Sequence, residues 1–184
     1  MDNENAFSKS FELIFISFYN SFINIIPIIF IMEVKNYIAK VKRNKTAQFK
    51  KSSYVVDYYK NNKQKLVRLL EQVFESNPDW WNWKAKYTAK KEANEVTKNI
   101  LNNAQDKGTQ TTISSLYYSL LVIQGKLEVQ KALEQIHDNW CYLTYFYEGG
   151  IKEKRKDQFV PFRKLSTLEK LKDLEWIYAM MKNQ

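Results

Sequence analysis

The chain contains little of the material from which turns, disulfides and metal sites are built. It has four glycines, three prolines, one cysteine and one histidine among 184 residues. Strand-rich folds need many turns, so the scarcity of glycine and proline favours long helices. A single cysteine, Cys141, excludes an internal disulfide and fits a reducing compartment. One histidine and one cysteine cannot build the usual zinc site, and the few glycines form no phosphate-binding loop.

Aromatic and basic residues are abundant. Aromatic side chains make up 15% of the chain, and the formal net charge is +9. The aromatic residues supply material for a hydrophobic core. A basic chain tends to meet nucleic acid, an anionic membrane surface or an acidic partner, although lysine-rich codon usage explains the same charge. Together these features predict a single all-α domain, a multi-helix bundle.

An uncharged, mostly apolar run covers residues 13–32, and many lysines follow it. Its length suits a helix that spans a bilayer, and the lysines would keep the C-terminal body in the cytoplasm. Two other interpretations stay open. Either Met32 is the true start and the preceding residues are translated AT-rich DNA, or the run is a buried or partner-docked helix. A cleaved signal peptide is disfavoured because no cationic region precedes the run.

The remaining chain divides into a basic helical region, 33–125, and a C-terminal helical unit, 126–184. Residues 33–50 are cationic and are interpreted as a solvated linker or a helix on an anionic surface. A helix over about 53–75 follows, with an apolar face at 3.6-residue spacing. A turn is predicted at 106–108, and Thr111 or Thr112 starts an apolar, central helix up to Gly125.

The segment 78–104 mixes tryptophan with lysine. Asn77 and Pro78 predict a helix start. Aromatic rings can stack on unpaired bases while cations contact phosphates. Core packing is the commoner use of such an aromatic stripe, so nucleic-acid binding is the alternative function and not the leading one. Its candidate residues are Trp80, Trp81, Trp83, Lys84, Lys86, Lys90 and Lys91.

Two predicted helices flank a charged loop in the C-terminal unit. The first carries His137 and Cys141 and ends at 149–150, and the second opens with a capping box of Ser166 and Glu169. The loop 149–162 leaves room for a minor β-hairpin. A lone histidine on a helix is more often a hydrogen-bonded packing residue than a base, so a hydrolase using Cys141 and His137 ranks last.

Ten residues in this unit recur in a recognisable order: Ile136, His137, Trp140, Val160, Pro161, Phe162, Leu165, Glu169, Lys170 and Asp173. They resemble the RyR (ryanodine receptor repeat) domain, which joins an IHxxW helix to a VPYxxLxxxEKxxD segment. Here Phe162 stands in place of the tyrosine. The resemblance implies a small, helical, non-enzymatic module, like the short units of unclear role in bacterial and phage proteins, and recognition of a ligand or partner is the expectation that follows from it.

The leading hypothesis is therefore a non-catalytic binding module, cytoplasmic or tethered through 13–32, with no cofactor or metal. Its partner is expected to be a protein or a small anionic ligand, with nucleic acid or membrane as alternatives. The working surface is predicted in the cationic loop 149–160 and the basic helices, not at His137. The candidate residues are Lys84, Lys86, Lys90, Lys91, Lys152, Lys154, Arg155 and Lys156.

Overall fold

The structure is a computed structural model of the chain, and it describes residues 36–37, 39, 47–76 and 89–184. From residue 47 onward these residues belong to one compact unit, 40–184. Its α-helices are α1 (Ala47–Tyr59), α2 (Lys63–Ser76), α3 (Ala89–Leu101), α4 (Lys107–Ile123), α5 (Val129–Glu148) and α6 (Thr167–Lys182), with 3-10 helices η1 (Glu153–Gln158) and η2 (Phe162–Lys164). The described part of the chain contains no strand, which confirms the predicted all-α class.

A turn separates the first two helices, where the sequence predicts one continuous helix over 53–75. The chain turns at residues 60–62, where the amide of Asn62 donates to the carbonyl of Tyr59 and its own carbonyl accepts from the amide of Lys65. Asparagine is unfavourable inside helices because its side chain competes with the backbone for hydrogen bonds. The turn allows the apolar faces of both helices to enter the same core.

The start of α4 also differs from the prediction. The sequence predicts a turn at 106–108 and a helix from Thr111 onward, but the helix already begins at Lys107. The Asp106 carboxylate accepts from the amide of Thr109 at 2.9 Å and from its hydroxyl at 2.6 Å. Because such a side chain satisfies a first-turn N–H that has no helical partner, Asp106 is the N-cap of α4.

The central helix of the bundle is α4, as its apolar sequence predicts. It packs against α1, α3, α5 and α6, and Ile113, Leu116 and Leu120 are fully buried. One hydrophobic cluster joins α4 to the first three helices and to α6, and a second joins α4 to α5, α6 and η2. The helices before and after Gly125 therefore share α4 as a common core element.

The C-terminal loop takes a conformation that the sequence did not predict. As expected, α5 ends at Gly149, whose φ of 70° is the left-handed conformation that favours glycine. Beyond it lie η1 and η2, not the β-hairpin that the sequence left open. The run from Glu153 to Asp157 lacks the alternation of a strand. In addition, Lys152 and Arg155 form ion pairs with Glu148 at the end of α5, which draws the loop back onto that helix.

Ser166 is the N-cap of α6, as its part in the predicted capping box requires, because its hydroxyl accepts from the amide of Glu169 at 3.2 Å. The helix is apolar on two opposite sides. Trp176 belongs to the core, whereas Leu168 and Leu171 are 62% and 48% exposed. The fold thus uses only one of the two apolar sides of α6.

Several predictions concern residues outside the described ranges and stay predictions. They are the membrane anchor at 13–32, the start at Met32, most of the basic stretch 33–50, the helix start at Asn77 and Pro78, and Trp80, Trp81, Trp83, Lys84 and Lys86. Among the helices that are described, none is long and apolar enough to cross a membrane.

Removing the Asp106 cap tests why α4 begins where it does. We expect Asp106→Ala to lower the free energy of unfolding by about 1–2 kcal/mol, because the first turn loses its side-chain acceptor. Asp106→Asn keeps an acceptor oxygen and should cost clearly less. Urea denaturation measures both, with Asp57→Ala at an exposed i,i+3 ion pair as the control. An Asp106→Ala variant as stable as the wild type would contradict the assignment.

Candidate functional site: a cationic pocket between α4, α5 and α6

A pocket of about 450 Å³ opens between the N-terminal turns of α4, the middle of α5, η1 and the first half of α6. Its charged and aromatic lining includes Lys107, His137, Trp140, Arg155, Lys172 and Asp173. These residues are separated by up to 66 positions in the chain, from 107 to 173, and the fold brings them together. Three of them, His137, Trp140 and Asp173, belong to the RyR-like pattern, and Arg155 belongs to the predicted cationic loop.

The histidine is held at the back of the pocket by hydrogen bonding. His137 is 4% exposed, and its Nε2 lies 2.8 Å from the carbonyl oxygen of Val160. Since a carbonyl can only accept, Nε2 carries the proton, and Nδ1 is then free to accept. Nδ1 faces the Asp173 carboxyl, with its Oδ2 atom at 3.7 Å. The prediction of a hydrogen-bonded packing histidine agrees with this geometry, but the residue also lines the pocket.

Aromatic rings pack around this histidine. The Trp140 ring is stacked at a centroid distance of 6.0 Å from His137, and the Phe162 ring lies 6.3 Å away on a tilted plane. Trp140 in turn contacts Phe159 at 5.6 Å. The aromatic residues of the C-terminal pattern therefore wall the imidazole and the adjoining side of the pocket.

Cys141 lies close to His137, but the two do not form a nucleophile–base pair. Its sulfur is 3.4 Å from His137 Nε2, and its thiol is placed to donate to the carbonyl of Gln158 at 3.6 Å. Because Nε2 already carries a proton directed at Val160, that nitrogen has no lone pair with which to deprotonate a thiol. Cys141 is also fully buried and does not line the pocket.

The His137–Asp173 pair carries no net charge near neutral pH. Burial lowers the pKa of His137 below 6.5, although the hydrogen bond to Val160 opposes this shift. Burial, followed by the nearby charge of Glu169, raises the pKa of Asp173 to about 8. Both pKa shifts favour a neutral imidazole beside a protonated carboxyl. The pair therefore adds no negative charge to the pocket at pH 7.

A cluster of cations surrounds Glu148 at the edge of the pocket. Glu148 Oε1 is 2.6 Å from Lys107 Nζ and 2.8 Å from Arg155 Nη1, and its other oxygen is 3.5 Å from Lys152. Burial opposes ionisation of Glu148, but the hydrogen bond from Lys107 and the three positive charges outweigh it and lower the pKa of Glu148. Burial also lowers the pKa of Lys107, against the attraction of Glu148. Three cations share this one carboxylate.

The other predicted cations lie elsewhere or are only partly described. Lys90 and Lys91 are exposed in the first turn of α3, and Lys156 is half-buried in η1. Lys154 belongs to η1, but its side chain lies outside the described part of the structure. The prediction missed Lys107 and Lys172, because each is a single lysine in a helix with nothing in its neighbourhood to distinguish it from a solvated one.

Comparison with known proteins identified no match, whether among protein families, curated proteins or solved structures. The RyR-like pattern therefore stays a resemblance. Within the described ranges, no group of three or more His, Cys, Asp or Glu side chains is placed to hold a metal ion.

The unusual protonation of Asp173 predicts how stability depends on pH. Above pH 4 the unfolded Asp173 is ionised while the folded one keeps its proton up to about pH 8, which lowers stability as pH rises. Below pH 6.5 the neutral folded His137 has the opposite effect, because the unfolded imidazole still holds a proton. The two effects oppose each other below pH 6.5, and above it only the effect of Asp173 remains. From there to pH 8, the free energy of unfolding should fall by about 2 kcal/mol.

Chemical denaturation at several pH values measures this profile. Asp173→Asn mimics the protonated carboxyl and should remove the fall above pH 6.5, so that stability stays level to pH 8. Asp157→Asn, at an exposed aspartate of η1, should keep the wild-type profile. A wild-type curve without any fall between pH 6.5 and 8 would show that folded Asp173 is already ionised.

Proposed function

We propose that this chain is a non-catalytic binding module of RyR-like type, and that the pocket between α4, α5 and α6 binds a small anionic ligand. The observation that supports this most directly is the convergence of Lys107, Arg155 and Lys172 on one concave pocket of ligand size. The sequence predicted a cationic loop as the working surface. The proposal extends that surface to a pocket shared by the loop and the RyR-like helices.

The charge balance of the pocket favours an anion. Glu169 is the partner of Lys172, with an Nζ–Oε1 distance of 2.5 Å, and it lines the pocket. The neutral His137–Asp173 pair contributes no charge. The cations around Glu148 exceed its single negative charge, so positive charge remains available for an incoming carboxylate or phosphate.

The geometry of the cations suits a ligand that is held at more than one point. The Arg155 guanidinium carbon lies 6.0 Å from the centroid of the Trp140 ring, a distance at which the ring stabilises and orients the cation. Arginine presents several N–H donors in one plane and can bind an oxyanion through two of them. A partly buried site strengthens such bonds because less water competes for them.

The absence of catalysis in this proposal rests on His137, the side chain best suited to acid–base chemistry in the pocket. One ring nitrogen donates to a backbone carbonyl, and the other faces a buried carboxyl. Nε2 is thus engaged within the protein, and Nδ1 is turned toward the Asp173 carboxyl, which suits a histidine that orients its neighbours. Tethering through residues 13–32 would place this module at a membrane surface and remains part of the proposal.

Binding of inorganic pyrophosphate, used as a probe, tests the proposal. We expect isothermal titration to detect binding to the wild type at low salt. Lys172→Met and Arg155→Met should each weaken it by about tenfold or more, because a hydrogen bond to a charged group contributes about 1.5–3 kcal/mol. Lys60→Met, at an exposed lysine of the α1–α2 turn, is the matched control. Equal affinities for all four proteins, or no binding to the wild type, would count against the proposal.

The alternative function is nucleic-acid binding through segment 78–104. Its support in the described residues is the exposure of Lys90 and Lys91 in the first turn of α3. It predicts that a single-stranded oligonucleotide binds with an affinity that falls steeply as salt increases. Exchanging both lysines for glutamine should make the plot of log affinity against log salt less steep, by the amount that about two phosphate contacts contribute. A flat salt titration, or no binding at low salt, would remove this alternative.

A further inference from the structure

A second site is formed around a buried lysine of α1, away from the pocket that the proposed function uses. Lys51 is 2% exposed, and its side chain reaches between α4 and α5. Its Nζ atom lies 2.5 Å from Asn139 Oδ1 and 4.8 Å from the centroid of the Tyr118 ring. Lysine is rarely buried to this extent without a charged partner, so the position of this amine needs an explanation.

The groups around the amine are themselves held in place. Asn139 Nδ2 donates to the carbonyl of Gln135 at 2.8 Å and approaches the Tyr118 hydroxyl at 3.4 Å. The Tyr118 hydroxyl donates to the side-chain oxygen of Gln135 at 3.2 Å. Since both amide hydrogens of Asn139 point at these acceptors, its oxygen is directed at Lys51. The network therefore orients the Asn139 amide so that its oxygen accepts from Nζ and holds the amine in place.

This amine faces a pocket of about 370 Å³ between α4 and α5. Aromatic and aliphatic side chains form most of its walls, and Lys131, Glu134 and Gln135 supply the polar part of the lining. The apolar wall residues are Tyr117, Tyr118, Leu121 and Leu127. A small, mostly apolar molecule with one polar group would fit such a lining.

The electrostatic environment disfavours the protonated amine. An ammonium group has three N–H donors, and within the described part of the chain no carboxylate lies within ion-pair distance of Lys51. Burial therefore lowers the pKa of Lys51 to about 8. About one tenth of the amine is then unprotonated at pH 7, far more than for a solvent-exposed lysine. A lysine desolvated in an apolar pocket is the form in which this side chain acts as a nucleophile.

We propose that Lys51 is the nucleophile of a second binding site, which captures a small apolar aldehyde or ketone as an imine. The unprotonated Nζ adds to the carbonyl carbon, and the carbonyl oxygen becomes a hydroxyl group. That hydroxyl takes one of the two protons of nitrogen as its own, and it then leaves as water together with the second proton while the C=N bond forms. The step needs no oxidant or reductant, and hydrolysis reverses it.

Competitive labelling of the full chain tests this assignment. The native protein is treated at pH 7 with limiting benzaldehyde and sodium cyanoborohydride, which reduces an imine to a stable benzylamine. Peptide mass spectrometry then compares labelling at each lysine. We expect Lys51 to carry on the order of tenfold more label than exposed lysines, because each unit of lower pKa gives tenfold more free amine, partly offset by weaker nucleophilicity.

Two lysines provide matched internal controls. Lys131 lines the same pocket but its side chain is 65% exposed and pairs with Glu128, and Lys126 also lies over a tyrosine ring, at 5.8 Å from Tyr54. In a Lys51→Met variant the most heavily labelled site should disappear while Lys126 and Lys131 label as before. Label at Lys51 equal to or below that at Lys131 in the wild type would overturn the proposal, because a purely structural buried lysine reacts least. The wild-type comparison decides the question even if Lys51→Met fails to fold.

Discussion

The C-terminal half of this protein depends on the hydrogen bond between His137 Nε2 and the carbonyl of Val160. It joins the middle of α5 to the segment that leads into α6, across 23 residues of chain. The segment places Phe162 against the imidazole and delivers α6 so that Asp173 faces Nδ1. The bond holds the imidazole in one tautomer and one orientation, in which the ring lines the pocket.

Buried polar groups shape both sites, at a cost to stability. Burying an ionisable group is unfavourable unless it is neutralised or paired. Three ionisable groups, of which Lys51 is buried and the other two are half-buried, resolve this differently: Asp173 retains its proton, Glu148 gathers three cations, and Lys51 has a single side-chain oxygen and an aromatic ring. Polar groups placed where packing does not need them are consistent with sites that meet a ligand.

Local signals in the sequence predicted much of the fold. Apolar periodicity located the central α4 and the faces of the first two helices, and the glycine pair and Ser166 located the end of α5 and the start of α6. The misplaced boundaries, at residues 60–62 and Asp106, are short polar stretches in which a turn and a helix cap have similar compositions. The burial of Tyr59 just before residues 60–62 and the hydrogen bonds from Thr109 to Asp106 are tertiary and local contacts that show a turn at the first site and a helix cap at the second.

The sequence by itself determined an all-α chain and a C-terminal pattern around His137, because helix periodicity and capping depend on residues three or four positions apart. Tertiary structure alone decided that Lys107, Arg155 and Lys172 meet beside Trp140, and that Lys51 enters an apolar pocket next to Asn139. These groups lie on different helices. The charged loop singled out Arg155, but nothing in the local sequence of the three lysines distinguishes them from solvated ones. Their chemistry follows from burial and from neighbours that only the folded chain supplies.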